Sequence, residues 1–222
     1  MCIRDRCKSF IDRLVELHQV DYQACGLADL GKPDGYVARQ IKGWSERYDN
    51  ARTPDAPGWQ EVRTWLEEKM PADHPRPAIV HNDYRFDNVI LDANDPLRII
   101  GVLDWELTTL GDPLMDLGNT LAYWIEADDP APVQLMRRQP SNAPGMLTRQ
   151  AFVDYYAERA GIEIKCFDFY YIYGLFRLAG IVQQIYYRYY HGQTADKRFA
   201  SFVQMNALLE KMALGVVARS SL

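Results

Sequence analysis

The stretch His81-Asn82-Asp83-Tyr84-Arg85-Phe86-Asp87-Asn88 sets six polar or charged side chains between two apolar runs, where a plain connection would use turn residues. Asp83 is an acid that can accept a hydrogen bond from a substrate hydroxyl and aim it. Asn88 follows, and Asp104 lies beyond a predicted hairpin. Runs 88–91 and 97–103 are β-like and are joined by Asp92-Ala93-Asn94-Asp95-Pro96. Asn88 opens the first strand and Asp104 closes the second, so antiparallel pairing returns both to one end, beside Asp83. Hard oxygen donors of this kind, with waters and phosphate oxygens completing the shell, suit Mg²⁺.

The spacing H-x-D-x-x-x-x-N is that of a kinase catalytic loop, where the Asp orients the attacking hydroxyl and the Asn holds the metal. Phosphoryl transfer accounts for each residue type. The transferred group and its leaving nucleotide carry dense negative charge while the loop is itself acidic, so a bridging metal is required, held by Asn88 and Asp104. Arg85 stands two residues after Asp83, where many protein kinases place a lysine on the γ-phosphate. It is expected to neutralise charge on the transferred group. His81 reads as a packed, hydrogen-bonded scaffold histidine, and Asp87 as a solvated charge without a role. Gly26-Leu27-Ala28-Asp29-Leu30-Gly31-Lys32-Pro33 nearly spells a P-loop, but it ends in proline and follows a helix, so that reading fails.

The elements that must carry these residues are mostly helical. Phe10, Ile11, Leu14, Val15 and Leu17 predict a helix over 10–20, and a polar helix follows over 37–48. Trp59, Val62, Trp65, Leu66 and Met70 predict the next helix, stopped by Pro71. Asp112 before Pro113 is a helix cap with proline at the first helical position. From there the pattern is helical, apart from a proline-rich loop over 129–145. The expected class is α+β, mostly α.

Composition narrows the function classes. The 222 residues are 48% apolar and 25% charged, which excludes a disordered chain. No run approaches the ~20 apolar residues of a membrane span. The net charge of −5 gives no basic footprint for nucleic acid. Cys2, Cys7, Cys25 and Cys166 form no CxxC and no zinc spacing with His18, His74, His81 or His191, which suits reduced thiols in the cytoplasm. No apolar region follows the basic residues at the start, so there is no secretory signal. Residues 1–7 read as a non-native or disordered leader.

Together with Val102-Leu103-Asp104-Trp105-Glu106 and Gly111-Asp112-Pro113-Leu114-Met115-Asp116-Leu117, the loop resembles the aminoglycoside phosphotransferase family of kinases, which have a protein-kinase-like fold. Within it, the likeness is to phosphotransferase domains related to those fused to acyl-CoA dehydrogenases. Gly26 to Pro33, Arg39-Gln40-Ile41, and Phe176-Arg177-Leu178-Ala179 with Gln183 and Arg188 carry that likeness. It runs from about Phe10 to the C-terminal helix. The resemblance implies Asp83 as catalytic base, Asn88 and Asp104 as magnesium ligands, Asp116 as a brace on the catalytic loop, and ATP as phosphoryl donor. Asn82 replaces the family's usual glycine; asparagine is the next-best residue for a left-handed backbone, so the loop is expected to survive. Asp112 is read as a cap alone. Asp116 either braces the loop, the preferred reading, or pairs with an exposed arginine. Glu106 is open between a second ion and substrate.

Tyr173, Arg177, Gln184 and Arg188 form a polar stripe on an otherwise apolar helix, which either solvates or lines a pocket. Arg177 is the sharper candidate, since a buried arginine needs an anionic partner. Asp116 or another protein carboxylate ranks ahead of a substrate phosphate or carboxylate. Glu106, Tyr173, Arg177 and Arg188 are thus the candidate substrate contacts. A kinase also needs a glycine-rich loop, a lysine on the phosphates and a glutamate pairing it. In this fold they belong to an N-terminal β lobe, and no such stretch precedes Phe10. Residues 8–222 therefore read as a C-terminal lobe with the β lobe missing, and weak Mg²⁺–ATP binding with negligible turnover is expected. The expected partners are a nucleotide and a small hydroxylated metabolite. The acyl-CoA dehydrogenase likeness hints at a hydroxylated acyl thioester. The alternative is a non-catalytic kinase-like domain that binds a metabolite or a protein partner.

Overall fold

The computed structural model describes residues 3–222. Helix α1 (Ile3–His18) buries Phe10, Ile11, Leu14 and Val15 on the face that the apolar spacing predicts. It begins earlier than expected. Residues 3–7 are not a disordered leader, because they form the first turn and Cys7 is completely buried, its Sγ 3.4 Å from Met146 Sδ. Met1 and Cys2 lie outside the described residues. Helices α2 (Tyr36–Asn50) and α3 (Gln60–Glu68) follow. Trp59, expected inside α3, precedes it with φ 56°, because its buried indole N–H donates to Asn206 Oδ1 at 2.8 Å.

Four short strands come next: β1 (Ala78–Val80), β2 (Val89–Leu91), β3 (Ile99–Val102) and β4 (Thr109–Gly111). The antiparallel hairpin of β2 and β3, with Val89 opposite Val102, is the one the spacing predicts. A second antiparallel pair joins β1 to β4, with Ala78 opposite Gly111, and local pattern did not announce it. This pair matters for the site. It brings the residue after β1, His81, beside the start of the helix that follows β4.

That helix, α4 (Pro113–Ala122), is buried along its whole length. Asp112 caps it, Oδ1 accepting from the Leu114 N–H at 2.8 Å, with Pro113 at the first position. Three further helices are α6 (Arg149–Ala160), α7 (Asp168–Tyr190) and α8 (Phe202–Val217), after the short α5 (Ala131–Gln134). Met115 and Ala122 of α4 join a core with α2, α3, α7 and α8. Leu114, Leu117 and Leu121 join a second core with α1, α6 and Tyr84. The axes of α4 and α7 approach closely where Gly118 meets Gly174: a Cβ on Gly174 would lie 2.2 Å from the Gly118 carbonyl oxygen. No side chain fits there, so the glycines set how near the helix carrying Asp116 lies to the one carrying Tyr173 and Arg177. Among the described residues the fold is mostly helical with two small sheets. No helix among the described residues is long and apolar enough to cross a membrane.

Candidate active site

The loop after β1 is held from behind by a buried charge. Asp116, in the first turn of α4 and fully buried, accepts from the backbone N–H of His81 and of Asn82, each at 2.7 Å. His18 Nε2 reaches the same carboxylate at 3.1 Å, and His18 Nδ1 lies 2.7 Å from the Tyr156 hydroxyl. Burial pushes the Asp116 carboxyl up, but the His18 hydrogen bond and charge and the two backbone N–H groups outweigh it. The group is held below the ordinary carboxylate range. Asp116 therefore pairs with a histidine, not with the exposed arginine weighed from the sequence.

Asn82 has φ 64°, the left-handed backbone anticipated from its type. Its amide donates to the Leu107 carbonyl at 3.0 Å, and its Oδ1 accepts from Asn119 at 3.1 Å and from the Tyr36 hydroxyl at 3.3 Å. His81 is fully buried, as a scaffold residue should be. Its Nδ1 accepts from the Asp83 N–H at 3.2 Å and its Nε2 donates to the Leu103 carbonyl at 2.8 Å, which assigns the neutral Nε2–H tautomer. One ring thus ties Asp83 to the residue before Asp104.

Asp83 faces outward with 18% of its side chain exposed. Arg85 Nε lies 3.1 Å from Asp83 Oδ1, and Arg85 also pairs with Asp87 at 3.1 Å while its guanidinium stacks 4.7 Å from the Tyr123 ring centroid. Desolvation raises the Asp83 carboxyl above its usual range, despite the opposing pull of Arg85, Arg177 and the Asn88 hydrogen bond. Asn88, in the tight turn Phe86–Asn88 before β2, donates from Nδ2 to the Asp83 carbonyl at 2.8 Å and to Asp83 Oδ2 at 3.0 Å. Both donors spent on Asp83 leave the Asn88 Oδ1 without a hydrogen bond among the described residues.

Asp104 stands where the hairpin returns. The Leu103 N–H donates to the Asn88 carbonyl at 2.8 Å, so the two candidate ligands leave one end of the ladder together. Asp104 is exposed, makes no ion pair or hydrogen bond among the described residues, and has φ 64°. Non-glycine residues in the left-handed region carry strain that tends to gather at functional sites, and Asn82 and Asp104 are both here. A free amide oxygen and a free carboxylate suit a divalent cation. No group of three or more His, Cys, Asp or Glu side chains among the described residues makes a metal site by itself, so phosphate oxygens and water would complete the shell. Glu106 is exposed in the turn Trp105–Leu107, with no hydrogen bond or ion pair among the described residues.

The helical stripe divides. Tyr173 and Arg177 are buried on α7, but Arg188 is exposed in its last turn, about 16 Å further along the axis at 1.5 Å per residue. Arg188 is not brought to the loop. Arg177, expected to answer a protein carboxylate, forms no ion pair among the described residues and lies 5.2 Å from the Trp44 ring centroid. Three residues that motif reading passed over also shape the site. His18 continues the apolar face Phe10, Ile11, Leu14, Val15 of α1, and a polar side chain on that face was the available signal. Gln139 accepts from the Phe86 N–H at 3.1 Å and has no local signature. Trp44 carries Arg47 as well as Arg177, and only its α2 partner sits at helical spacing.

Residues 3–152 match the profile of the phosphotransferase enzyme family. The chain is 31% identical over 217 residues to acyl-CoA dehydrogenase family member 11 of Gallus gallus, covering 95% of this chain and 27% of that protein. It is 34% identical over 202 residues to family member 10 of Mus musculus, covering 90% of this chain and 18% of that protein. It thus spans about a quarter or less of these relatives. A putative aminoglycoside phosphotransferase of Ralstonia eutropha superposes with a TM-score of 0.84 at 29% identity, over 99% of this chain and 66% of that one. A spectinomycin phosphotransferase solved with ADP and spectinomycin shares the fold at a TM-score of 0.55 and 13% identity, over 97% of this chain and 63% of that one. With an acid-and-amide loop braced on a buried aspartate and a family match that runs from α1 into α6 on both sides of it, the chain belongs to the phosphotransferase enzyme family.

Proposed function

We propose that this chain carries the catalytic lobe of a small-molecule kinase that moves a phosphoryl group from ATP to a substrate hydroxyl with Mg²⁺. The observation that carries the reading is the Asn88 amide. Its two hydrogen bonds hold Asp83 in place and turn its own oxygen free at the hairpin end that also bears Asp104. Asp83 would accept the hydrogen bond of the attacking hydroxyl, a role its raised pKa favours because a stronger base takes a larger share of the proton. Arg85, already beside Asp83, would turn toward charge developing on the transferred group. Asn88 and Asp104 would hold Mg²⁺, which when bound supplies charge neutralisation across the phosphates. His81 and Asp116 position the loop and touch no substrate.

The nucleotide reading is supported by the ADP bound to the spectinomycin enzyme of the same fold. The glycine-rich loop and its lysine we assign to a β-rich lobe outside these residues, since the chain spans 66% of the Ralstonia protein. The acceptor we take to be a small hydroxylated metabolite, with a hydroxylated acyl thioester suggested by the two acyl-CoA dehydrogenase relatives. Free thiols at Cys25 and Cys166 suit the cytoplasm. The test is Mg²⁺-dependent transfer from labelled ATP across a panel of hydroxy metabolites, using the intact gene product. Transfer that disappears in Asp83→Ala supports the reading. Nucleotide-independent metabolite binding with no transfer to any acceptor would favour a non-catalytic domain instead.

A further inference from the structure

Three arginines stack on aromatic rings, and two of them answer no anion. Arg85 is engaged with Asp83 and Asp87. Arg177, from α7, lies 5.2 Å from the Trp44 ring centroid, and Arg47, from α2, lies 4.9 Å from the same ring. Neither forms an ion pair or hydrogen bond among the described residues. Arg47 is exposed, so water can serve it. Arg177 is only 3% exposed. None of its nitrogens is a sealed, unpartnered donor, so the five donors stay open to an acceptor that arrives, and a tryptophan face offsets its charge without taking any of its hydrogen bonds.

The position relates this pair to the catalytic loop. The charge of Arg177 is felt at Asp83 and at the half-buried Tyr123, and both Arg177 and Arg47 act on Tyr173. Both arginines come from helices, whereas Asn88 and Asp104 stand at the hairpin end. Arg177 is thus within electrostatic reach of Asp83 from an element other than the hairpin that bears the candidate metal ligands.

We propose that Arg177 and Arg47, gathered on Trp44, bind a carboxylate or phosphate group of the acceptor, so that the hydroxylated substrate is an anion. The word acceptor rests on the phosphoryl-transfer reading; the anion site itself does not. The planar fork of arginine matches either group with paired hydrogen bonds. A cationic amino alcohol, which aromatic rings of this kind can otherwise accommodate, would meet two unpaired positive charges on the ring it needs. The pair would thus select for charge as well as place the substrate.

The test needs neither ATP nor turnover. The indole N–H signal of Trp44, assigned through Trp44→Phe, is followed by NMR while the protein is titrated with inorganic phosphate, 3-hydroxybutyrate or choline. A saturable shift with at least one anion and none with choline is expected. A response to 3-hydroxybutyrate alone indicates a carboxylate, and a response to phosphate alone indicates a phosphate-bearing acceptor. Arg47→Met and Arg177→Met should each weaken anion binding about tenfold, and Arg177→Lys should recover part of the loss. If Arg177→Met does not fold, the exposed Arg47→Met decides. No response to either anion, an equal response to choline, or anion binding indifferent to these variants overturns the proposal. Such a failure alongside intact ATP-dependent transfer would leave the kinase reading standing; anion binding without any transfer would do the reverse.

Discussion

Replacing Asp116 by asparagine probes the brace with little change of shape. Asp116 offers two oxygens to three donors: Oδ1 takes the Asn82 N–H, while Oδ2 takes the His81 N–H and His18 Nε2. Asparagine has one acceptor oxygen. Turned to the Oδ2 position it keeps two bonds, and its amide then confronts the Asn82 N–H, donor against donor. Leaving that buried N–H unpaired costs about 1–3 kcal/mol. Converting the two remaining charge-assisted bonds to neutral ones costs about 1 kcal/mol each, and relief from burying a charge returns part of this. A net loss of about 3 kcal/mol is expected, within the 5–15 kcal/mol typical of a domain, so the variant should remain folded. Urea unfolding at pH 7 with an unchanged slope measures the loss, and amide exchange locates it at Asn82. The pH dependence has a definite sign. Because the folded pKa of Asp116 is depressed, its contribution is complete above the unfolded value near 3.8 and is lost as pH falls through the folded value. The gap between wild type and Asp116→Asn should hold from pH 7 to about 5 and close only in stronger acid. A loss below 1 kcal/mol, or unchanged protection of the Asn82 amide, would refute the brace.

Asp83→Asn should lower transfer by about 10²–10⁴-fold while leaving the urea midpoint nearly unchanged or raised, because ionising this half-buried carboxylate is unfavourable in the folded state. For the same reason the acid limb of kcat/KM should lie above the ordinary aspartate pKa of 3.8; a limb at or below that value would argue against Asp83 as the group. Asp104→Asn should weaken Mn²⁺ binding, followed by paramagnetic relaxation, about tenfold for one lost charged ligand, and an unaltered affinity would remove Asp104 from the metal site. Gly174→Ala should cost about 1–3 kcal/mol, because its methyl would lie 2.2 Å from the Gly118 carbonyl oxygen, and a neutral effect in thermal unfolding would show that α4 and α7 can separate there.

How much was legible depended on whether the signal was local. The β2–β3 hairpin could be read because Asp92 to Pro96 is turn chemistry between two apolar runs, and its pairing follows from chain connectivity. The left-handed backbone of Asn82 was legible from residue type, and the cap at Asp112 from its following proline. The β1–β4 pair was not, since three apolar residues at β1 and Thr109-Leu110-Gly111 at β4, separated by a long loop, name no partner. Order at residues 3–7 was not legible because Ile3 to Cys7 looks unremarkable in sequence, and it is tertiary packing that buries Cys7 with its Sγ against Met146 Sδ.

The sequence by itself determined the chemistry available: an acid, an amide and a second acid at spacings that a loop and one hairpin bring to the same end. Those relations are short in chain distance and set by covalent geometry and strand pairing. Tertiary structure alone decided what answers each charge. Asp116 found His18, which lies 98 positions away, and not an arginine. Arg177 found a tryptophan face and no carboxylate. Burial makes such pairings matter, because a charge removed from water must be met by whatever the folded chain places beside it. That neighbour is chosen by helix packing, which no window of sequence contains.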